Sequence, residues 1–400
     1  MVKRPIDKVL LVTAFGLVLF GVVMISSVSV FQSYQLTSSM TQRGLLDHPT
    51  NSFYLWRTVL HTATAIPIFL LSIYIPLNFW RKMALPLFVA GLFLLGALFL
   101  PGIGANYGTS TSWISVPFLP SMQPAEIMKL FMIFYLAVWM EKKQELVSSF
   151  QYGFLPFTVL LSLAVILLAM QPDFGSVLVV SVIAASMFFA AGGNILHIIG
   201  GALFAALVSY PIIMSKEYIR NRFTAFLDPS VDPLNIGFQI KQALIAIGSG
   251  GFFGVGFGKS IQKFGYLPEV QGDTIFAAMG EELGFLRTVF ILLAFLVIAY
   301  RGYRIARYAT NRFYMLVAVG ITSWIVFQAL INISVNLSLL PLTGLTLPFI
   351  SYGGSSLIIN MVGIGILLNI SRSSESEAYT PGRRRVRRTY YPPHTARYRL

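Results

Sequence analysis

The 400-residue chain contains no cysteine, which excludes disulfides, thiol nucleophiles and thiolate metal sites. Its four histidines, His48, His61, His197 and His394, are scattered, with no H-E-x-x-H and no pair at helical spacing, which argues against zinc. A glycine-rich stretch ending at Gly258 does not match G-x-x-x-x-G-K-[ST], and no G-x-G-x-x-G occurs, so a nucleotide-phosphate loop has no support. Charge is scarce too. Charged residues are 11% of the chain and apolar residues 56%, whereas a soluble domain carries roughly 25% charged residues. That is too little charge to coat a water-facing surface. Chemistry is left to carboxylates, lysines, hydroxyls and backbone groups.

The apolar residues fall into runs such as Val9–Ser26, Ala84–Leu100 and Phe154–Met170. A helix needs about 20 such residues to cross the hydrocarbon core. The runs predict an all-α, polytopic integral membrane protein with spans near 9–31, 55–75, 84–101, 124–140, 153–170, 175–191, 195–214, 274–299, 313–337 and 350–370. The first is read as a retained helix and not a cleaved signal peptide. The short connections sort by charge. One side carries Lys3, Arg4, Lys8, Arg81, Lys82, Lys142, Lys143, Arg301, Arg304, Arg307 and Arg312, while the short loops 102–122, 171–174 and 338–349 on the other side carry no Lys or Arg. The positive-inside rule then puts both termini in the cytoplasm.

The organisation read from this is a transmembrane domain over residues 1–371 and a basic, proline-containing tail over 372–400. The tail is read as disordered and as holding anionic lipid headgroups, with a docking role for a cytoplasmic partner as the alternative. Between the seventh and eighth spans lies a long external loop, about 215–273. Its basic residues Lys216, Arg220, Arg222, Lys241, Lys259 and Lys263 suit an anionic ligand such as a pyrophosphate, with lipid-surface contact as the plainer alternative. Within it, the segment ending at Gly258 is amphipathic and then glycine-rich, which predicts an interfacial helix followed by a close-packed turn.

Only 15 acidic residues exist, and ionisable groups near a membrane are costly unless paired or functional. Glu126 and Lys129 follow Gln123-Pro124 with the i, i+3 spacing of one helix face. They form either a packing ion pair or part of a substrate site. Asp173, after Gln171-Pro172, is placed to cap the next helix. Asp273 precedes the eighth span, either as its N-cap or, with Glu269 close by in a polar, basic loop, as a functional acid, and at least one of Glu281 and Glu282 further along must face protein or water. The segment Ser351-Tyr352-Gly353-Gly354-Ser355-Ser356 opens the last span with hydroxyls, glycines and helix N-terminal amides that can receive an anion or, alternatively, pack closely. Glu126, Asp173, Asp273 and the Ser351–Ser356 segment all lie on the outer side of their spans, which predicts one outward-facing cavity with a carboxylate base and cationic neighbours.

At these residues the sequence resembles the SEDS family (shape, elongation, division and sporulation proteins) from Asp7 to about Ser371. The resemblance rests on Gln123–Lys129 (QPAEIMK), Gln171–Ser176 (QPDFGS), Arg222–Gly251, Ser260–Phe285 and Gly344–Ser356 (GLTLPFISYGGSS). The details SxQKxxYLPE, GEELGF and GLTLPFISYGG are closer to the cell-division branch than to the elongation branch. It implies a peptidoglycan glycosyltransferase that polymerises lipid II, a disaccharide-pentapeptide on undecaprenyl pyrophosphate, on the outer face of the cytoplasmic membrane, at the division septum. The family's loop aspartate carries over onto Asp273, as the base that takes the proton of the attacking sugar hydroxyl. Positive charge on the pyrophosphate would come from Lys129, Arg220, Arg222 or Lys241, with or without a divalent cation, Mg²⁺ or Mn²⁺. The implied partners are a class B penicillin-binding protein transpeptidase, other division proteins and membrane lipids, and no nucleic acid.

Two departures from the family pattern stand near the proposed site. Ser112 replaces an arginine before Trp113-Ile114, and Gln271-Gly272 replaces His-Thr before Asp273. Two other classes fit the same outward cavity: a lipid II flippase, which inverted repeats or broken helices at mid-membrane would favour, and a scaffold that only activates its transpeptidase partner.

Overall fold

Backbone inside hydrocarbon must satisfy its own hydrogen bonds, so apolar runs of this length fold as helices. A computed structural model gives the arrangement and describes residues 5–100, 104–107, 110–114 and 122–373. The helices at the predicted spans are α1 (Lys8–Val28), α3 (Phe53–Tyr74), α4 (Leu77–Ala97), α5 (Pro124–Lys143), α6 (Leu155–Met170), α7 (Phe174–Ala190), α8 (Ile195–Ser215), α11 (Ile275–Arg307), α12 (Arg312–Asn336) and α13 (Gly354–Ser373). Between them lie α2 (Val30–Gln42), which continues α1 past Ser29, and α9 (Glu217–Leu227) and α10 (Ile236–Gly250) in the long loop. Seven of the spans among the described residues are long and apolar enough to cross a membrane by length and composition alone. The helix Phe174–Ala190 and the stretch Ile195–Pro211 are shorter and apolar, and α5 carries Glu126 and Lys129 in its opening turns. The chain is a multi-pass helical membrane protein.

The structure departs from the all-α expectation at one point. The predicted loop 102–122 contains a short antiparallel hairpin, β1 (Gly104–Tyr107) with β2 (Ser110–Ile114), and Ile114 bridges to Met122. The final helix runs two residues beyond the predicted boundary, to Ser373. The predicted disordered tail from 374 lies outside the described residues.

Helix starts follow local chemistry. Asp7 accepts a hydrogen bond from the Leu10 N–H at 3.0 Å, Asn311 accepts from Tyr314 at 2.9 Å, and Pro124 occupies the first position of α5, where a missing N–H costs nothing. At the same end as Asp7, the Arg301 guanidinium grips the Asp7 carboxylate at 2.5 Å and joins α11 to α1.

The core is built around α12, which is enclosed by α5, α7, α11 and α13 and is buried along most of its length. By contrast α8 turns almost every side chain outward, Leu207 being 72% exposed, as a lipid-facing helix does. Small residues set the close crossings, since helices in lipid associate through packing contact. A Cβ at Gly365 of α13 would fall 1.8 Å from Ser72 Oγ of α3.

One element is discontinuous. At Gly284 (φ 75°, ψ 176°) α11 breaks, and the turn after α10 fills the gap. Val255 and Gly256 donate to the carbonyls of Glu281 and Glu282 at 3.0 and 3.1 Å, while Phe285 and Leu286 donate to Gly251 and Phe252 at 2.8 and 3.1 Å. Four backbone groups freed by the break are thereby paired again. This is the close-packed turn predicted from the glycines, seated in the side of a helix. It fixes the first segment of α11, and with it the residues just before that segment.

Candidate active site

The loop between α12 and α13, residues 337–353, is where the predicted site residues meet. Its carbonyls are held by three side chains from two elements. Arg222 of α9 donates to the Leu342 carbonyl at 3.1 Å, Asn332 of α12 to Leu345 at 2.7 Å, and Gln328 of α12 to Thr346 at 3.1 Å. The loop needs such anchoring because Ser338 and Phe349 adopt φ of 53° and 67°, left-handed values that side-chain-bearing residues hold only when their surroundings impose them.

This loop and α12 grip the backbone on which Asp273 stands. Tyr352 N–H donates to the Gln271 carbonyl at 2.8 Å, and Ser351 Oγ donates to the Gly272 carbonyl at 2.6 Å. The Asp273 carbonyl accepts from both Asn332 and Asn336 Nδ2, each at 2.8 Å. Three consecutive carbonyls are therefore tied down. From the other side Thr274 Oγ1 closes onto the Pro268 carbonyl at 2.6 Å, and Glu269, at φ 49°, makes the turn. Asp273 does not cap α11: Thr274 occupies that position, and Asp273 Oδ1 is buried with no hydrogen-bond partner.

An ionised oxygen out of water is unfavourable. Burial raises the Asp273 pKa from its ordinary value to about 7, and the negative charge of Glu269 adds to the effect. The residue's own backbone, the Arg222 guanidinium and a hydrogen bond with Gln239 pull the other way. The carboxyl is thus balanced between its acid and base forms near neutrality, as a proton acceptor at that pH requires.

A second polar cluster lies on the far side of the same loop. Lys129 is wholly buried and donates to Glu126 Oε1 at 2.6 Å and to Gln328 Oε1 at 2.8 Å. Trp324 Nε1 shares that Gln328 oxygen at 2.8 Å, and the Lys129 ammonium lies 5.5 Å from the Trp324 ring centre. The ammonium is committed to these neighbours, while Glu126 Oε2 is buried without one. Through Gln328 and the Thr346 carbonyl this cluster is one link from the loop that holds Asp273.

Other predicted residues are also placed. Asp173 caps α7, accepting from Ser176 N–H at 3.0 Å and Ser176 Oγ at 2.8 Å, and Gly175 beside it packs on the Thr343 carbonyl. The Ser351 hydroxyl is taken by Gly272 and by the Leu347 N–H, and Ser355 Oγ accepts from Gln123 N–H at 3.2 Å. These bonds serve the close-packing alternative for the segment that includes Gly353 and Gly354. Tyr352 packs edge-on against Tyr54, 4.9 Å between ring centres. Arg220 and Lys241 are exposed on the long loop.

Both glutamates of α11 face protein. Glu281 is held by Ser260 Oγ and by the Ile261 N–H at 2.9 Å. Glu282 pairs with Lys263 at 2.9 Å and with Ser27 of α1 at 2.7 Å. Ser112 and Gln271 are both buried, and the Gln271 side chain reaches Glu269 Oε2 at 3.4 Å. The residues that sequence reasoning missed are Gln328, Asn332 and Asn336. Their signal was three amides at i, i+4 and i+8 on one face of an apolar span.

The Asp273 carboxyl is set into a layer of hydrogen-bonded loop. Two hollows lie elsewhere, one beside Asp7, Arg301 and Ser371 and one beside Ala191, Asn311 and Arg312, and neither includes Asp273.

Residues 7–376 match the family model FtsW/RodA/SpoVE, described as cell cycle proteins. The chain is 39% identical over 365 residues, 91% of its length and 95% of the relative's, to the probable peptidoglycan glycosyltransferase FtsW of Geobacter sulfurreducens. It is also 39% identical to the stage V sporulation protein E of Bacillus subtilis, over 93% of this chain and 98% of that one. Among solved structures, a chain of a peptidoglycan synthase complex that coordinates polymerization and crosslinking aligns with a TM-score of 0.74 at 26% identity, covering 92% of this chain and 98% of that one. The rod shape determining protein RodA of Thermus thermophilus shares the fold, with a TM-score of 0.67 at 24% identity over 93% and 98% of the two chains.

Proposed function

The chain belongs to the FtsW/RodA/SpoVE family of cell cycle proteins, and from that premise we propose that it is a peptidoglycan glycosyltransferase that polymerises lipid II with Asp273 as general base. The observation that carries the reading is the Asp273 carboxyl: fixed backbone, a buried oxygen without a hydrogen-bond partner, and a pKa near 7. Asp273 takes the proton from the acceptor sugar's 4-hydroxyl as that oxygen attacks the donor's anomeric carbon. The bond to the undecaprenyl pyrophosphate then breaks, with inversion, and the pyrophosphate leaves with the electron pair.

Charge on the leaving group falls to Arg222, Arg220 and Lys241 of the long loop, because Lys129 is wholly buried between Glu126 and Gln328 while these three are partly or fully exposed. The described residues hold no group of three His, Cys, Asp or Glu side chains placed around a common point. Among the described residues a metal cage made by the protein alone does not fit.

The reading places the protein in the cytoplasmic membrane at the division septum, with both termini inside and the long loop outside, and gives it a class B penicillin-binding protein as transpeptidase partner. The last two motifs' resemblance to the cell-division branch and the likeness to a peptidoglycan synthase complex support this. Purified protein, alone and with that partner, is expected to convert lipid II to polymer resolved on a gel, and Asp273→Ala to make none. Polymer from the variant equal to wild type would remove Asp273 from the role, and flipping of lipid II in vesicles without polymer would move the reading to transport.

A further inference from the structure

The three amides on the inner face of α12 are unusual for a span that is otherwise apolar and enclosed, because an amide there is unfavourable unless fully partnered. Gln328 serves the Lys129 cluster and the Thr346 carbonyl. Asn332 and Asn336 instead converge on one atom, the carbonyl oxygen of Asp273. Only the Nδ2 end of an asparagine can face a carbonyl, so both orientations follow from the shared partner. The helix does not compete for that oxygen, since the Ala277 and Ala278 N–H groups both go to the Thr274 carbonyl.

A purely structural amide would be expected to use both of its ends, and of the two only Asn332 does, its Oδ1 accepting from Asn336 Nδ2 at 3.5 Å. Asn336 Oδ1 is buried without a partner, so this residue contributes only its donor, to the Asn332 and Asp273 carbonyls. Asn332 divides its donor between Asp273 and the Leu345 carbonyl, which locks the Asp273 backbone to the loop that also holds Gln271 and Gly272.

We infer that Asn332 and Asn336 are positioning residues, which fix the backbone of Asp273 so that its carboxylate is presented to the acceptor hydroxyl at a constant place. The inference rests on the reading of Asp273 as the base. Displacing a reacting group by about 1 Å costs on the order of 10²-fold in rate, and releasing this carbonyl frees the carboxyl to move relative to Glu269, Arg222 and Gln239.

The test compares wild type, Asp273→Ala, Asn332→Ala, Asn336→Ala and Asn336→Gln as full-length proteins with purified lipid II. Both alanine variants are expected to lose about 10- to 100-fold in kcat, keep KM for lipid II within about twofold, and shift the acid limb of the pH–kcat profile. Asn336→Gln, which keeps the donor, is expected to recover part of the loss, and melting temperature in detergent to stay near wild type. Should Asn332→Ala not fold, Asn336→Ala decides the matter, since Asn332 still bridges there. Alanine variants that keep wild-type kcat, or lose it only as folded protein is lost with the acid limb unmoved, overturn the inference while Asp273→Ala stays inactive. A wild type that makes no polymer, or an Asp273→Ala variant as active as wild type, takes down the polymerase reading and this inference with it.

Discussion

At the scale of single residues, the site is held together by what is withheld from Asp273. Its neighbours' carbonyls are all engaged, and its own Oδ1 is left buried without a hydrogen bond. Such a group works against folding. Its folded pKa, about 7, stands above the ordinary 3.8, so the folded state holds the proton more tightly than the unfolded chain. The resulting stability is fully present below about pH 4 and is lost as pH rises through about 7. Asp273→Asn, a neutral isostere, is therefore expected to melt higher than wild type by a few °C at pH 8, as about 1 kcal/mol does, and by less at pH 5. Thermal melts in detergent at the two pH values check it, and an equal gain at both would show that the carboxyl is not strained by its charge. Asp273 was legible as one of several scarce acids at a span's outer edge, and its choice as the base came from the family resemblance. Asn332 and Asn336 were not, because their spacing with Gln328 marks one helix face but reads the same whether the amides grip a distant carbonyl or only pack.

At the scale of elements, the ten spans could be read from run length because hydrocarbon admits so few backbone arrangements. The break in α11 could not. A single glycine at 284 within a span predicted as continuous from 274 to 299 gives no local sign that Gly251–Gly256 will pair with it, and that pairing depends on residues some 30 positions away. The consequence is measurable. Gly284 has φ 75°, and a Cβ there would lie 2.2 Å from the Gly254 nitrogen, so Gly284→Ala meets both backbone strain and a clash with main chain. Gly248, in α10, has nothing within 4 Å of the same position, and alanine there suits the helix by about 0.5–1 kcal/mol. Gly284→Ala is expected to lower both melting temperature and polymerase activity, because the first segment of α11 carries Asp273 at its start. Gly248→Ala is expected to leave activity intact and to melt at or above wild type. Parallel melts and lipid II assays of the two variants decide it, and a Gly284→Ala protein indistinguishable from Gly248→Ala would mean that the break is not needed.

At the scale of the whole molecule, the orientation in the membrane sets whether any of this chemistry meets an external substrate. Charge sets that orientation: arginines and lysines cluster at the ends bearing Asp7, Lys142 and Arg312, while the loops beside Asp173 and Ser351 carry none. The long loop is basic, and loops of about 60 residues escape that rule, so its side is inferred from the spans flanking it. The absence of cysteine makes the inference directly testable, because any thiol introduced is the only one in the chain. Leu234, 84% exposed in the long loop, and Thr310, exposed in the turn between α11 and α12, lie at opposite ends of α11. In intact cells a membrane-impermeant maleimide is expected to label Leu234→Cys at once and Thr310→Cys only after permeabilisation. The reverse pattern would put Asp273 on the cytoplasmic side, where the donor pyrophosphate of an external polymerase is not presented, and the flippase and scaffold readings would then have to be weighed anew from the same residues.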